Sequence, residues 1–211
     1  EGGIRIADAD YLRALRRLCD EKGWLLMVDE VQCGIGRTGR WFGYEWAGIR
    51  PDVITLAKGL GSGVPIGAVV AGGPASGTFG PGNHGTTFGG GPLACRAGLE
   101  TLRIIEEENL LASAAAMGRR IRDGFAAALQ GVRGVVAIRG EGLMIGIELD
   151  RPCGDLVRQA LASRLLINVT QDRVIRLLPP LVIDAGEADE IVARLAPLVR
   201  AFVGAPEQRA A

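Results

Sequence analysis

Two short apolar runs, each closed by one charged residue, constrain this chain more than any other feature. The first is Trp24-Leu25-Leu26-Met27-Val28, and it stops at Asp29-Glu30-Val31-Gln32. The second is Val53-Ile54-Thr55-Leu56-Ala57, and it delivers Lys58 followed by Gly59-Leu60-Gly61-Ser62-Gly63. Gly34, Gly36 and Gly39 punctuate the loop between them. Apolar runs of this length, bounded by glycine, read as buried strands of a parallel sheet. Ligands of such sheets gather outside the carboxyl ends of the strands. The pattern therefore predicts an acid and an amine on opposite sides of one ligand.

The remaining segments extend this into an α/β chain. Residues 8–21 read as a helix, with Tyr11, Leu12, Leu15, Leu18 and Cys19 on one face and Gly23 as its stop. Strands are expected over 24–29, 53–57 and 66–71. Phe79 to Gly91 forms a second glycine-rich loop, and Pro92 suits the first turn of a helix running through Leu110. A change of composition follows. Helices are expected over 112–129, 155–163 and 187–203, with strands over 135–139, 143–149, 166–169 and 174–177. Gly204 onward is expected to be a frayed tail. Two domains result, one over residues 1–109 and a small α+β C-terminal domain over 110–211.

Composition narrows the function classes. The 211 residues carry 24 basic and 24 acidic side chains, with no basic block, which argues against nucleic acid and anionic membrane as partners. No apolar run approaches the length of a bilayer span. The four cysteines lack metal-ligand spacing and His84 stands alone, so a metal site is not expected. Scattered cysteines suit reduced thiols in a cytoplasmic protein. The chain opens on Glu1-Gly2-Gly3 rather than Met, and it reads as a piece of something longer.

A lysine just past a strand usually reaches solvent. Lys58, however, ends an apolar run and is followed at once by glycine, a setting that allows partial desolvation. Desolvation favours a neutral amine, which can form a Schiff base. Asp29 is a cap or salt-bridge partner in its bland reading, but a carboxylate there can also pair with a protonated pyridine nitrogen. Pyridoxal phosphate chemistry needs both groups. Glu30 points the opposite way if the strand continues, and is the lesser candidate. Arg176 lies between Ile175 and Leu177, just before Pro179-Pro180, where a guanidinium suits a two-point grip on a carboxylate. His84 is left out of the catalytic set as a structural residue.

Several spaced segments carry a family likeness. They are residues 26–32, 34–39 (Gly-Ile-Gly-Arg-Thr-Gly) and 51–60 (Pro-Asp-Val-Ile-Thr-Leu-Ala-Lys-Gly-Leu), then 79–90, 92–95, 142–149 and 174–180. Together they resemble the class III pyridoxal-phosphate-dependent aminotransferases, and most closely their acetylornithine branch. The resemblance implies part of an aspartate aminotransferase-like, fold type I large domain, followed by the small domain. It implies pyridoxal 5'-phosphate as cofactor, with Lys58 as its covalent anchor and proton shuttle and Asp29 on its ring nitrogen. Val31 would pack on a ring face and Gln32 would bond the phenolic oxygen. Thr87, or Thr86 beside it, would reach the phosphate from the neighbouring subunit of a homodimer. Arg176 would bind the substrate carboxylate, and Glu1 would pair with Arg176 while the amino donor is bound.

The activity so implied is transfer of the terminal amine of N2-acetyl-L-ornithine to 2-oxoglutarate, a step of arginine biosynthesis. Ornithine, succinylornithine and 4-aminobutyrate are alternative donors. Two departures stand out: Gly91 where relatives usually carry asparagine, and Cys33 where threonine is common. Relatives also possess an N-terminal half that supplies other walls of the site. The opposing expectation is therefore a catalytically inert fragment.

Overall fold

Asp8 and Gly23 delimit the first helix, α1 (Ala9–Lys22). The Asp8 carboxylate accepts hydrogen bonds from the amides of Asp10 and Tyr11, satisfying donors that the first helical turn leaves open. Gly23 takes a left-handed φ of 67° and ends the helix. The computed structural model describes residues 1–205. These divide into two units, Ala7–Ala112 and a second made of Glu1–Ile6 with the residues from Ser113 onward.

The unit Ala7–Ala112 holds a three-stranded sheet in the order β1-β2-β3, comprising β1 (Met27–Asp29), β2 (Val53–Leu56) and β3 (Ala68–Ala71). β1 runs parallel to β2, with Asp29 opposite Thr55, and β3 runs antiparallel. β2 has neighbours on both sides, and its Val53, Ile54 and Leu56 are buried. The arginine face of α1 ties to this sheet, because Arg16 pairs with Asp52 at 2.7 Å and Asp52 also accepts from the Leu26 amide at 2.7 Å.

The first apolar run corrects the sequence reading. Only Met27–Asp29 is strand, and it is an edge rather than a buried centre: Trp24 is 59% and Met27 63% exposed. β1 has one hydrogen-bonded neighbour among the described residues, so the apolar side chains that looked like core lie open. The third strand begins two residues late, at Ala68, and Val69 and Val70 are exposed. The helix predicted to run through Leu110 is two helices, α2 (Pro92–Glu107) and α3 (Leu110–Ala128). Asn109 separates them with a left-handed φ of 52°.

The other unit is a four-stranded antiparallel sheet in the order β4-β5-β7-β6. Its strands are β4 (Val135–Glu141), β5 (Met144–Leu149), β6 (Asn168–Thr170) and β7 (Val174–Leu177). Helices α4 (Asp155–Ala162) and α5 (Ala185–Gly204) complete it with most of α3. Ile121, Phe125, Ile145, Ile147, Leu149, Ile175, Leu195 and Val199 share one buried cluster. Alternation along β5 and β7 sends these apolar residues to the core face and leaves Gly146, Glu148 and Arg176 on the other. Residues 1–6, grouped by sequence with the first domain, lie with this unit because Ile4 packs over Gly146 and Arg139 binds the carbonyls of Gly3 and Ile4. Gly204, where the tail was expected to begin, still closes α5, and the residues beyond Ala205 lie outside the described ones. Among the described residues no helix is long and apolar enough to cross a membrane.

Candidate active site

Asp29 closes β1, and its carboxylate accepts from the Val31 amide at 2.9 Å. That short turn diverts the chain out of the sheet. Lys58 follows β2 by two residues and opens a 3-10 turn, Lys58–Gly61. Its φ of 43° is left-handed, an uncommon state for a residue with a side chain and one that clusters at functional positions. Because β1 and β2 are parallel and in register, Asp29 and Lys58 leave the sheet from the same end of neighbouring strands. Both side chains are exposed. The desolvation expected around Lys58 is therefore not met among the described residues, where Lys58 stays exposed although Leu60 and Gly61 of the same turn are buried.

Val31 and Gln32 are half-buried in the turn that leaves Asp29. The loop beyond them is pinned by a residue the sequence reading ranked low. Glu30 is only 2% exposed, and its carboxylate accepts from the amides of Gly43 at 2.9 Å and Tyr44 at 3.0 Å. Burial pushes this carboxyl above its ordinary range, against the opposing pull of those two amides. Adjacent acids thus do opposite jobs: Asp29 faces solvent and Glu30 faces the loop interior. The strand alternation that turned Glu30 away from Asp29 was the available signal for this. Gly34 lies so close that an added Cβ would stand 2.7 Å from the Glu30 carbonyl oxygen.

Thr87 is exposed in the loop between residues 79 and 91. Its neighbour Thr86 caps the local turn, accepting from the Gly89 amide at 3.1 Å. His84 packs edge-on against Phe79, with ring centroids 5.1 Å apart.

Arg176 and Glu1 belong to the other unit, and there they meet. Arg176 Nη1 donates to Glu1 Oε1 at 2.7 Å. The Arg176 side chain is 13% exposed and that of Glu1 78%. Arg176 Nε is buried and has no hydrogen-bond partner among the described residues. A mostly buried guanidinium with an unused donor and one exposed, displaceable carboxylate is suited to exchanging that carboxylate for another. Glu1 is not a loose end, because its carbonyl accepts from Thr170 Oγ1 and from Gln171 Nε2.

The sequence matches the class-III aminotransferases over residues 1–199. The chain belongs to that family. Among class-III relatives, acetylornithine aminotransferase 1 of Bordetella parapertussis is 61% identical over 203 residues, covering 96% of this chain and 52% of that protein. Acetylornithine aminotransferase of Nitrosomonas europaea is 54% identical over the same shares. The crystal structure of ornithine aminotransferase from Toxoplasma gondii superposes with a TM-score of 0.89 at 35% identity, covering 95% of this chain and 49% of that one. The fold is thus the class-III aminotransferase fold in part, and the chain spans about half the length of the curated relatives it matches.

Proposed function

We propose that this chain supplies the covalent-anchor lysine and the substrate-carboxylate arginine of a pyridoxal-5'-phosphate-dependent transaminase. The observation that carries the reading is the exit of Asp29 and Lys58 from the same end of adjacent parallel strands. An amine and a carboxylate so placed fit the aldehyde and the pyridine nitrogen of that cofactor. When bound, the cofactor supplies an electron sink for the carbon that loses its proton.

The residues then divide the labour. Asp29 keeps a proton on the ring nitrogen. Lys58 Nζ would hold the cofactor and, once an incoming amine displaces it, would take the proton from the substrate carbon as base and give it back as acid. Val31 packs on the ring, Gln32 donates to the phenolic oxygen, and Thr87 serves the phosphate of the neighbouring subunit in a homodimer. Arg176 grips a substrate carboxylate. Glu1 occupies Arg176 while the amino donor is bound and yields to the dicarboxylate acceptor.

The favoured donor is N2-acetyl-L-ornithine and the acceptor 2-oxoglutarate, giving N-acetyl-L-glutamate 5-semialdehyde and L-glutamate in the arginine biosynthesis of a cytoplasm. The names of relatives at 61% and 54% identity support this choice over ornithine, succinylornithine or 4-aminobutyrate. Comparing kcat/KM for acetylornithine, ornithine and 4-aminobutyrate on the complete polypeptide tests it, and a preference for 4-aminobutyrate overturns it.

A second reading has its own support. The open edge of β1, with Trp24 and Met27 exposed, favours a chain that is inert by itself. Incubating the chain with pyridoxal 5'-phosphate, reducing with borohydride and mapping the labelled peptide separates the two. Label concentrated on Lys58 supports a competent half-site, and label scattered over surface amines supports the inert chain.

A further inference from the structure

We infer that Arg139 is a positioning residue for the Glu1–Arg176 pair, an inference that rests on the proposed role of that pair in substrate choice. Arg139, Gly146 and Arg176 form one cross-strand row, Arg139 opposite Gly146 in β4–β5 and Gly146 opposite Arg176 in β5–β7. Residues in such a row project from the same face of the sheet. The middle position has no side chain. The segment Glu1–Ile4 crosses the sheet there, and an added Cβ on Gly146 would stand 3.0 Å from Ile4 Cβ.

Each arginine holds a different part of this segment. Arg139 Nη2 donates to the Gly3 carbonyl at 2.6 Å, and Arg139 Nε donates to the Ile4 carbonyl at 2.8 Å. The Glu148 carboxylate, two residues along β5 from Gly146, takes Arg139 Nη1 and fixes the guanidinium. Arg139 and Glu148 side chains are only 19% and 17% exposed. The hydrogen bond from Arg139 holds the Glu148 carboxyl below its ordinary range, which keeps the anchor charged. Thr170 Oγ1 secures the Glu1 carbonyl.

The backbone of residues 1–4 is thus fastened at three carbonyls, and the Glu1 side chain alone stays largely exposed. A gate built this way moves by side-chain rotation. Its carboxylate starts from a fixed point above Arg176, so its competition with a substrate carboxylate is set by Arg139, whose own donors are spent on Gly3, Ile4 and Glu148.

The test has two arms. In the 211-residue chain, nitrogen-15 spectra of arginine side chains report how freely the Arg176 Nη groups rotate, and an ion pair slows them. Arg139→Met is expected to free that rotation to the rate seen in Glu1→Gln, and Arg139→Lys to restore part of the restraint. Where Arg139→Met fails to fold, Glu148→Gln removes the anchor instead and is expected to act in the same direction. Wild-type restraint in these variants overturns the inference.

In the complete polypeptide, glutarate serves as the dicarboxylate probe. Arg139→Met is expected to tighten glutarate binding about threefold to tenfold, the gain of losing one charge-assisted competitor. Glu1→Gln is expected to match it, and the double variant to add nothing. An effect of Glu1→Gln without one of Arg139→Met overturns the inference and leaves the substrate reading standing. No effect of Glu1→Gln or Arg176→Met on glutarate removes the substrate reading, and the rotation measurement still decides the role of Arg139.

Discussion

Glu30 and Gly43 are 13 residues apart in sequence and joined by a 2.9 Å hydrogen bond from the Gly43 amide to the buried Glu30 carboxylate. With the neighbouring bond from Tyr44, this contact closes the loop that begins at the candidate ring-nitrogen acid. Glu30→Ala leaves two amides without their acceptor, and the expected cost is about 2–4 kcal/mol. Denaturant unfolding checks the magnitude, and hydrogen exchange at Gly43 and Tyr44 checks the location. Unchanged exchange at both amides would sink this account.

The same carboxyl makes a pH prediction of definite sign. Its folded pKa is raised from the ordinary 4.5 by burial, so the folded state holds this proton more tightly than the unfolded chain. Its contribution to stability is full below pH 4.5 and falls as pH rises towards the raised value. Glu30→Gln should flatten that segment of the stability profile. A profile that keeps its slope in the variant assigns the titration elsewhere.

Asp52 has the opposite sign. The hydrogen bond from Arg16, with a further one from the Leu26 amide, holds its carboxyl below the ordinary value of 3.8. The stabilisation is present above 3.8 and is lost as pH falls through the depressed value. Asp52→Asn should cost about 1–3 kcal/mol near neutral pH, because Arg16 loses a mostly buried partner. The difference from wild type should shrink in acid, which unfolding curves at several pH values would reveal.

Lys58→Ala in the complete polypeptide should remove transamination, with kcat lowered at least about 10²–10⁴-fold through loss of the proton shuttle alone. Asp29→Asn should lower kcat in the complete polypeptide while leaving the cofactor-free unfolding midpoint of the 211-residue chain nearly unchanged, since Asp29 is exposed there. A Lys58→Ala protein that turns over at the wild-type rate would remove the proposed role.

How much of this was legible in the sequence follows from the range of each interaction. Strand β7 falls on the predicted residues, and Arg176 stood out as a charge among apolar neighbours, a local signal. The stop at Gly23 was equally local, whereas Asp8, read as the first helical residue, is the cap. Trp24 and Met27 looked like core because apolar runs normally have neighbours on both sides, and β1 has one among the described residues. Arg139 was invisible for a different reason. Its partners Gly3 and Ile4 lie 136 and 135 residues away, and nothing in the composition of β4 marks one arginine as a clamp.

Gly118 sets local and tertiary preferences against each other. It lies inside α3, where alanine is favoured over glycine by roughly 1 kcal/mol on helix propensity. An added Cβ, however, would stand 1.9 Å from the carbonyl oxygen of Gly142 in the β4–β5 turn. The obstacle is backbone on both sides, and Gly142 itself has a left-handed φ of 51°, so the turn has little freedom to retreat. Leu143, the next residue, is fully buried. Gly118→Ala should therefore destabilise this unit by about 2–3 kcal/mol net, overpacking outweighing propensity. The unfolding midpoint of the variant measures the balance. A gain in stability would mean that α3 and the turn separate at little cost, and that the close approach is not a packing constraint.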